Sequence, residues 1–284
     1  MKYFTKYIIG FLLVTLATVS VVSAEDAREA DRQAREKYQT AQNAYMSEVN
    51  FYKNARQQFQ TVKEKYRKSK KTEDGESLET EAKTLLKSMI RVTIKKLEAI
   101  RNKPAHLRGI SEVERQSLLA EIDEDINWLK QKEQNIDSAT PEQIREEAKA
   151  VKEYWKNVRI TLKRVTGQLL AARINFIINK ADSASQKIAV KIEQLKSAGH
   201  DTSSLEAQLG DFDDKVNLAE SKYSAAKEKF QSISTVEKAD NLFKQGHQFI
   251  KEANAYVREA HKILVNIVKD IKSTTGAVST GETE

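Results

Sequence analysis

Tyr38, Tyr45, Tyr52, Phe59 and Tyr66 stand seven residues apart, and no feature constrains this chain more. Ala34, Ala41, Ala55 and Val62 fill the alternate slot, with Glu48 interrupting the series. A strict seven-residue apolar repeat draws a narrow seam along a helix and winds it left-handed about a partner. Large residues alternating with small ones suit close helix–helix approach. The spacing predicts one unbroken helix from about Glu25 to Lys71, roughly 70 Å long at the helical rise. A segment of that length cannot be the side of a compact globule.

The rest of the chain repeats the theme. It holds only 2 Pro and 9 Gly in 284 residues, so little breaks a helix. Its abundant Ala, Lys, Glu, Gln and Leu lose little rotamer freedom in one. TEDGES, residues 72–77, reads as a turn, and helix two then runs from about Leu78 to Asn102, ahead of Pro104. Helix three, about Ser111 to Ile136, opens on a capping box of Ser111 and Glu114. Helix four opens on Thr140, Pro141 and Gln143, which supply an N-cap, a first-turn proline and the closing amide. Its apolar steps of three and four pass through Trp155 and beyond Gly167, which reads as a tolerated helix glycine costing about 1 kcal/mol against Ala. Trp128 and Trp155 read as core anchors. Gly199 ends that helix near sixty residues. Helix five, about Ser203 to Ser232, takes Ser203 and Glu206 as its box, and helix six runs from about Thr235 to Ser273. The tail from Thr274 has nothing to bury and is expected to be disordered.

The fold class is therefore all-α: an elongated antiparallel helical bundle or coiled coil. Three offset alignments hint at an internal duplication, for example Leu85, Ile90 and Ile94 with Leu169, Ile174 and Ile178. On that reading, residues 78–165 and 166–273 are two tandem three-helix units sharing helix four, preceded by the long helix of residues 25–71. The alternative is that any two amphipathic helices align tolerably.

The first 24 residues read as a secretory signal. Lys2 and Lys6 precede an apolar run from Tyr7 to Val22, and Val22-Ser23-Ala24 offers small residues for cleavage after Ala24. An uncleaved anchor is the competing reading, but the run falls short of the roughly 20 apolar residues a span needs. The expected location is extracytoplasmic: periplasm, cell surface or secreted, with no integral span after cleavage. The formal charge of +7 would drop by two units. That mild excess is no nucleic-acid footprint, and nucleic acid is not expected as a partner. With no cysteine, stability comes from packing without disulfides.

No catalytic or cofactor motif stands out, and no cofactor or metal is expected. His106, His200, His247 and His261 are scattered, with His247 and His261 two heptads apart on one helix. Glu121, Asp123, Glu124 and Asp125 fan around a helix axis, as do Asp211, Asp213 and Asp214, so neither set converges as a calcium site must. Two surfaces invite interaction. Lys63, Lys65, Arg67, Lys68, Lys70 and Lys71 form a basic run suited to an anionic envelope surface, or simply to the helix C-terminus that ends there. The seam Tyr38, Tyr45, Tyr52, Phe59 and Tyr66 needs a partner, which could be the chain itself in cis, a second copy or another protein. The expected function is a non-enzymatic extracytoplasmic structural or protein-interaction module, a helical spacer or scaffold. The alternative is a secreted holdase-type chaperone or an adaptor for envelope polymers or lipids.

Overall fold

The computed structural model describes residues 21–103 and 109–276. Those residues form six helices and no strand: α1 (Val21–Ser69), α2 (Thr72–Arg101), α3 (Glu112–Gln134), α4 (Pro141–Ser197), α5 (Ser203–Gln231) and α6 (Val236–Gly276). The all-α bundle expected from the periodicity is what folds. α1 packs along α2, and α2 also meets α3 and α4. α3 packs on α4, and α4, α5 and α6 pack on one another.

α4 organises both cores. It has 57 residues, about 86 Å at 1.5 Å per residue. It opens as its sequence dictates: Thr140 Oγ1 accepts the Gln143 backbone N–H, the Gln143 side chain accepts the Thr140 N–H, and Pro141 sits in the first turn. Leu86, Ile90, Ile94 and Leu97 of α2 pack with Leu118, Ile122, Ile126 and Leu129 of α3 and Val151, Val158, Val165 and Leu169 of α4. From Ala171 onward the buried residues of the same helix belong to a second cluster, against which Ile160 and Leu170 also pack. There Ile174, Ile178, Ile188 and Ile192 meet Phe212, Val216, Ala226 and Phe230 of α5 and Ile250, Ala253, Val257 and Ile267 of α6. Each such Val, Leu, Ile or Phe side chain, fully buried, contributes about 1.5–3 kcal/mol.

Gly167 lies where one cluster gives way to the other, and its role differs from the expectation. It is more than a tolerated glycine. The fully buried Phe230 ring occupies the space a Cβ at Gly167 would need, and Gly246 of α6 is pressed by the same ring. The two glycines form a slot for Phe230, which also tilts against Phe243 with centroids 5.7 Å apart.

Polar ties cross this junction. Arg164 of α4 donates to Glu121 of α3 at 2.7 Å and to the Ile233 carbonyl between α5 and α6 at 2.9 Å. Lys227 of α5 reaches Glu114 of α3 at 2.7 Å. Asp240 of α6 accepts from Arg159 at 3.0 Å and from Lys163. Asn175 Nδ2 donates to the Gly109 carbonyl at 2.6 Å. Gly109 rests directly on the α4 backbone, where a Cβ would collide with the Ala172 carbonyl.

Several boundaries move from those the sequence suggests. The first turn is at Lys70 and Lys71, not at TEDGES: Thr72–Ser77 already belongs to α2, and Lys70 takes φ 53. The reason is Asp74, buried inside the first turn, which accepts from Lys65 at 2.7 Å and from the Ser69 hydroxyl and so holds the helices together. Gly75 lies close under Tyr66, where a Cβ would come within 3.3 Å of the ring. At α5 the N-cap is Thr202 and no Ser203 box forms. Instead Asp201 Oδ1 accepts the Ser203 N–H at 3.0 Å and its hydroxyl at 2.7 Å. Ser111–Glu114 and Gly199 behave as expected, a capping box and a left-handed residue at φ 86. Thr274–Gly276 continues α6, whereas residues 277–284 of the expected tail, and residues 1–20 of the expected signal, lie outside the described residues.

The Phe230 slot yields a test. Alanine at Gly167 or Gly246 adds up to about 1 kcal/mol of helix propensity. Overpacking against a fully enclosed ring costs about 1–3 kcal/mol. Gly167→Ala and Gly246→Ala are therefore both expected to lower the urea midpoint, and Gly210→Ala, with nothing near its Cβ position, to leave or raise it.

Candidate interaction surface on the first hairpin

The aromatic seam finds its partner in cis. α1 runs antiparallel to α2 with a constant register: Lys65 pairs with Asp74, Lys96 Nζ sits 4.6 Å over the Tyr45 ring, and Glu48 faces Arg91 electrostatically. Tyr38, Tyr45, Tyr52, Phe59 and Tyr66 are each half-buried, and within α1 Ala55 is a buried core residue. Tyr66 lies over Gly75. The seam is a two-helix contact, thinner than the three-helix cores behind it.

Glu48, the residue that breaks the apolar series, has a counter-charge. Arg91 of α2 binds Glu133 of α3, and Glu48 and Asp137 add to the field that raises its pKa. One guanidinium thus serves both sides of α2. Beside it Lys87 reaches Asp137 at 2.8 Å.

The hairpin is unequal. α1 has 49 residues and α2 has 30, so the N-terminal part of α1 runs past the end of α2. Where α2 ends, the helices flank a shallow cleft of about 530 Å³, lined by Lys37, Thr40, Ala41 and Ala44 of α1 and by Lys95, Glu98 and Asn102 of α2. Met46 and Phe51 of α1 and Met89 of α2 remain exposed along the hairpin, at 50%, 47% and 39%.

The basic run lies at the closed tip. Lys65 is committed to Asp74, Arg67 to Glu64 at 3.3 Å, and Lys70 to the Tyr66 ring at 5.5 Å. Lys63, Lys68 and Lys71 are exposed. All six cations are exposed, and among the described residues only Lys65 bonds across the turn to α2. The bond to Lys65, and then that to Ser69, pulls Asp74 below the usual carboxylate range. Its contribution to the tip is present above the ordinary carboxylate pKa and is lost as pH falls through its own lowered one.

Sequence reasoning missed a buried polar knot between α3 and α4. Asp125 is 5% exposed; its Oδ1 accepts the Tyr154 hydroxyl at 2.8 Å, Thr161 also bonds it, and Oδ2 has no partner among the described residues. Tyr154 stacks on Trp128 with centroids 3.7 Å apart. The expected anchor Trp155 is 42% exposed instead. Both residues flank the buried stripe between Val151 and Val158, and Tyr154 wins because its ring meets Trp128 while its hydroxyl meets Asp125. An Asp three residues before a Trp, with a Tyr on the facing helix, was a signal present in the sequence, but it needed the interhelical register to be read.

The other acidic residues disperse. Asp123 pairs with Arg101 at 2.6 Å and Asp213 accepts from Ser185 at 2.6 Å. Among the described residues no group of three or more His, Asp or Glu could hold a metal ion. His247 stacks near Phe243, while His106 lies outside the described residues. No described helix is long and apolar enough to cross a membrane. Compared with protein-family models, curated proteins and solved structures, the chain matches none.

Asp125 gives a pH test. Burial first, with Glu124 and Glu121 adding, raises its pKa despite the Tyr154 and Thr161 bonds. Because the folded pKa lies above the unfolded one, its contribution is full below the unfolded value and lost as pH rises through the folded value. Asp125→Asn is expected to raise the melting temperature at pH 7, with the advantage over the parent vanishing as pH approaches about 4.

Proposed function

We propose that this protein is a non-enzymatic, extracytoplasmic helical spacer, two three-helix units in tandem carrying an interaction hairpin at one flank. The observation that carries the reading is the continuity of α4. One helix of 57 residues supplies a wall to a first cluster ending at Leu169 and a second beginning at Ala171. A rod shared between cores sets a fixed distance between its ends, which is the property a spacer needs. The duplication gains support from residues aligned by sequence that bury in different clusters: Ile90 and Ile174, Ile94 and Ile178, Ile122 and Phe212. Trp155 and Ile250 depart from that pattern, one exposed and one buried.

The hairpin is the proposed binding element. Its half-buried aromatics and the exposed Met46, Phe51 and Met89 offer apolar contact to a second copy or another protein. Export through residues 1–24, with cleavage after Ala24, belongs to the same proposal.

Scattering and light scattering on the mature protein test it together. Expected are a mass consistent with loss of residues 1–24, a maximum dimension of at least the ~86 Å of α4, and association that rises with concentration and falls on Phe51→Lys. A squat particle, or a turnover assay with clear activity, overturns it.

A second reading, an adaptor for anionic envelope polymers or lipids, is favoured by one observation: Lys63, Lys68 and Lys71 are exposed near the hairpin tip. It predicts that anionic vesicles pellet the protein at low salt, that 0.5 M salt releases it through screening, since the Debye length then falls below about 8 Å, and that the triple Gln variant at these lysines no longer pellets. Pelleting by the triple variant as strong as the parent's removes it.

A further inference from the structure

α3, α4 and α5 meet over a polar hollow at the joint between the two clusters. Its volume is about 220 Å³, and it is lined by Glu114, Ser117, Leu118 and Glu121 of α3, Gln168 of α4 and Gln231 of α5. Helical spacing puts them there: the four residues of α3 stand at i, i+3, i+4 and i+7 and so share one face. Gln168 precedes Leu169 of the first cluster, and Gln231 directly follows Phe230 of the second. Leu118 is buried and Gln168 half-buried, forming the floor, while Ser117 and Gln231 are exposed and form the rim. Ion pairs brace the walls. Lys227 bonds Glu114 at 2.7 Å, and Arg164 bonds Glu121 Oε2 at 2.7 Å. The Lys227 bond, ahead of burial, holds Glu114 below the usual carboxylate range. Each carboxylate thus has its own cation, and the hollow has no charge to offer a ligand. What remains is neutral hydrogen-bonding capacity. Among the described residues the Ser117 hydroxyl, the Gln168 and Gln231 amides and Glu121 Oε1 have no hydrogen-bond partner.

We propose that this hollow binds one neutral sugar ring, held by Ser117, Glu121, Gln168 and Gln231 across the joint between the clusters. Each amide offers donors and an acceptor, the hydroxyl either, and the carboxylate oxygen an acceptor. Ring hydroxyls both donate and accept, so they match this mixed set, whereas an ionic ligand has to displace Lys227 or Arg164. The volume is far above the ~10–15 Å³ that one water needs and suits a single pyranose. Ring hydroxyls also reproduce the hydrogen bonds that water makes to such a surface, so the exchange leaves the polar groups paired. Leu118 gives the C–H face of the ring an apolar contact. None of the lining side chains is aromatic, so stacking adds nothing and the expected affinity is weak, in the millimolar range. The site does not depend on the spacer reading, which the scattering experiment tests separately.

The test is ligand-observed NMR with calorimetry on the full chain. The probes are glucose, galactose and N-acetylglucosamine, with chitotetraose as the chain form of the last, each titrated into the high millimolar range. At least one probe is expected to saturate and to raise the melting temperature. Gln168→Met and Gln231→Met keep side-chain length and helix propensity while removing the amide. Each is expected to weaken that probe about fivefold, the worth of one neutral hydrogen bond. Gln60→Met, exposed on α1, should bind as the parent does. Circular dichroism checks that each variant stays helical, and Ser117→Ala gives a third reading should either glutamine variant not fold. Tighter binding of chitotetraose than of its monomer assigns the ring to the end of a glycan chain, and any other saturating probe assigns it to a free sugar. Absence of saturable binding by all four probes, or equal binding by parent, Gln168→Met and Gln231→Met, overturns the proposal.

Discussion

The architecture depends on α4 staying helical where its clients change. Between Val165 and Ala171 one helix leaves the cluster built with α2 and α3 and enters the one built with α5 and α6. A break there would leave two bundles joined by a tether. Phe230 opposes such a break, since its ring fits only because two helices lack a Cβ at Gly167 and Gly246. The residue with the poorest intrinsic helix propensity short of proline thus secures the continuity it would otherwise weaken. The polar ties of Arg164, Lys227 and Asn175 lie within a few turns of the same point, so rotation of one cluster against the other must break charge-assisted bonds as well as packing.

Charge is distributed along the bundle with a consistent logic. Where a cation is held by a carboxylate on a neighbouring helix, as Lys215 is by Glu259 and Lys222 by Glu252, register is fixed at modest energetic gain. Where a charge is buried, the environment differs by type. Asp74 is compensated twice and closes a turn, whereas Asp125 is compensated by hydroxyls alone and shifts the opposite way. Two aspartates of one chain therefore make acid a destabilising influence at the hairpin tip and a relieving one in the first core.

Much of the fold was legible because three-and-four spacing is a local property that long helices preserve. The capping residues Ser111 and Thr140 and the terminator Gly199 were readable one by one, since each acts on its own turn. What escaped reading was relational. TEDGES looks like a turn in isolation, but Asp74 becomes a helix-starting residue only when Lys65 of the preceding helix is beside it. Trp155 looks like an anchor until Tyr154 is seen to have both Trp128 and Asp125 across from it. Gly167 looks permissive until Phe230 arrives from sixty-three residues downstream. The candidate surfaces show the same division: the basic run was visible as a run, while the bond of Lys65 to Asp74 on the next helix was not.

Among the described residues α1 packs chiefly on α2, and α2 is embedded in the first cluster. Dependence in this chain is therefore directional. α2 can remain seated while α1 peels away, but α1 has no seat unless α2 is already folded. Amide protons of α1 should then exchange through a local opening that spares the helices behind it, making the first hairpin its own cooperative unit. A surface that detaches without melting its support can present its inner aromatic face to an outside helix, so that the cis contact and any trans contact compete for the same stripe.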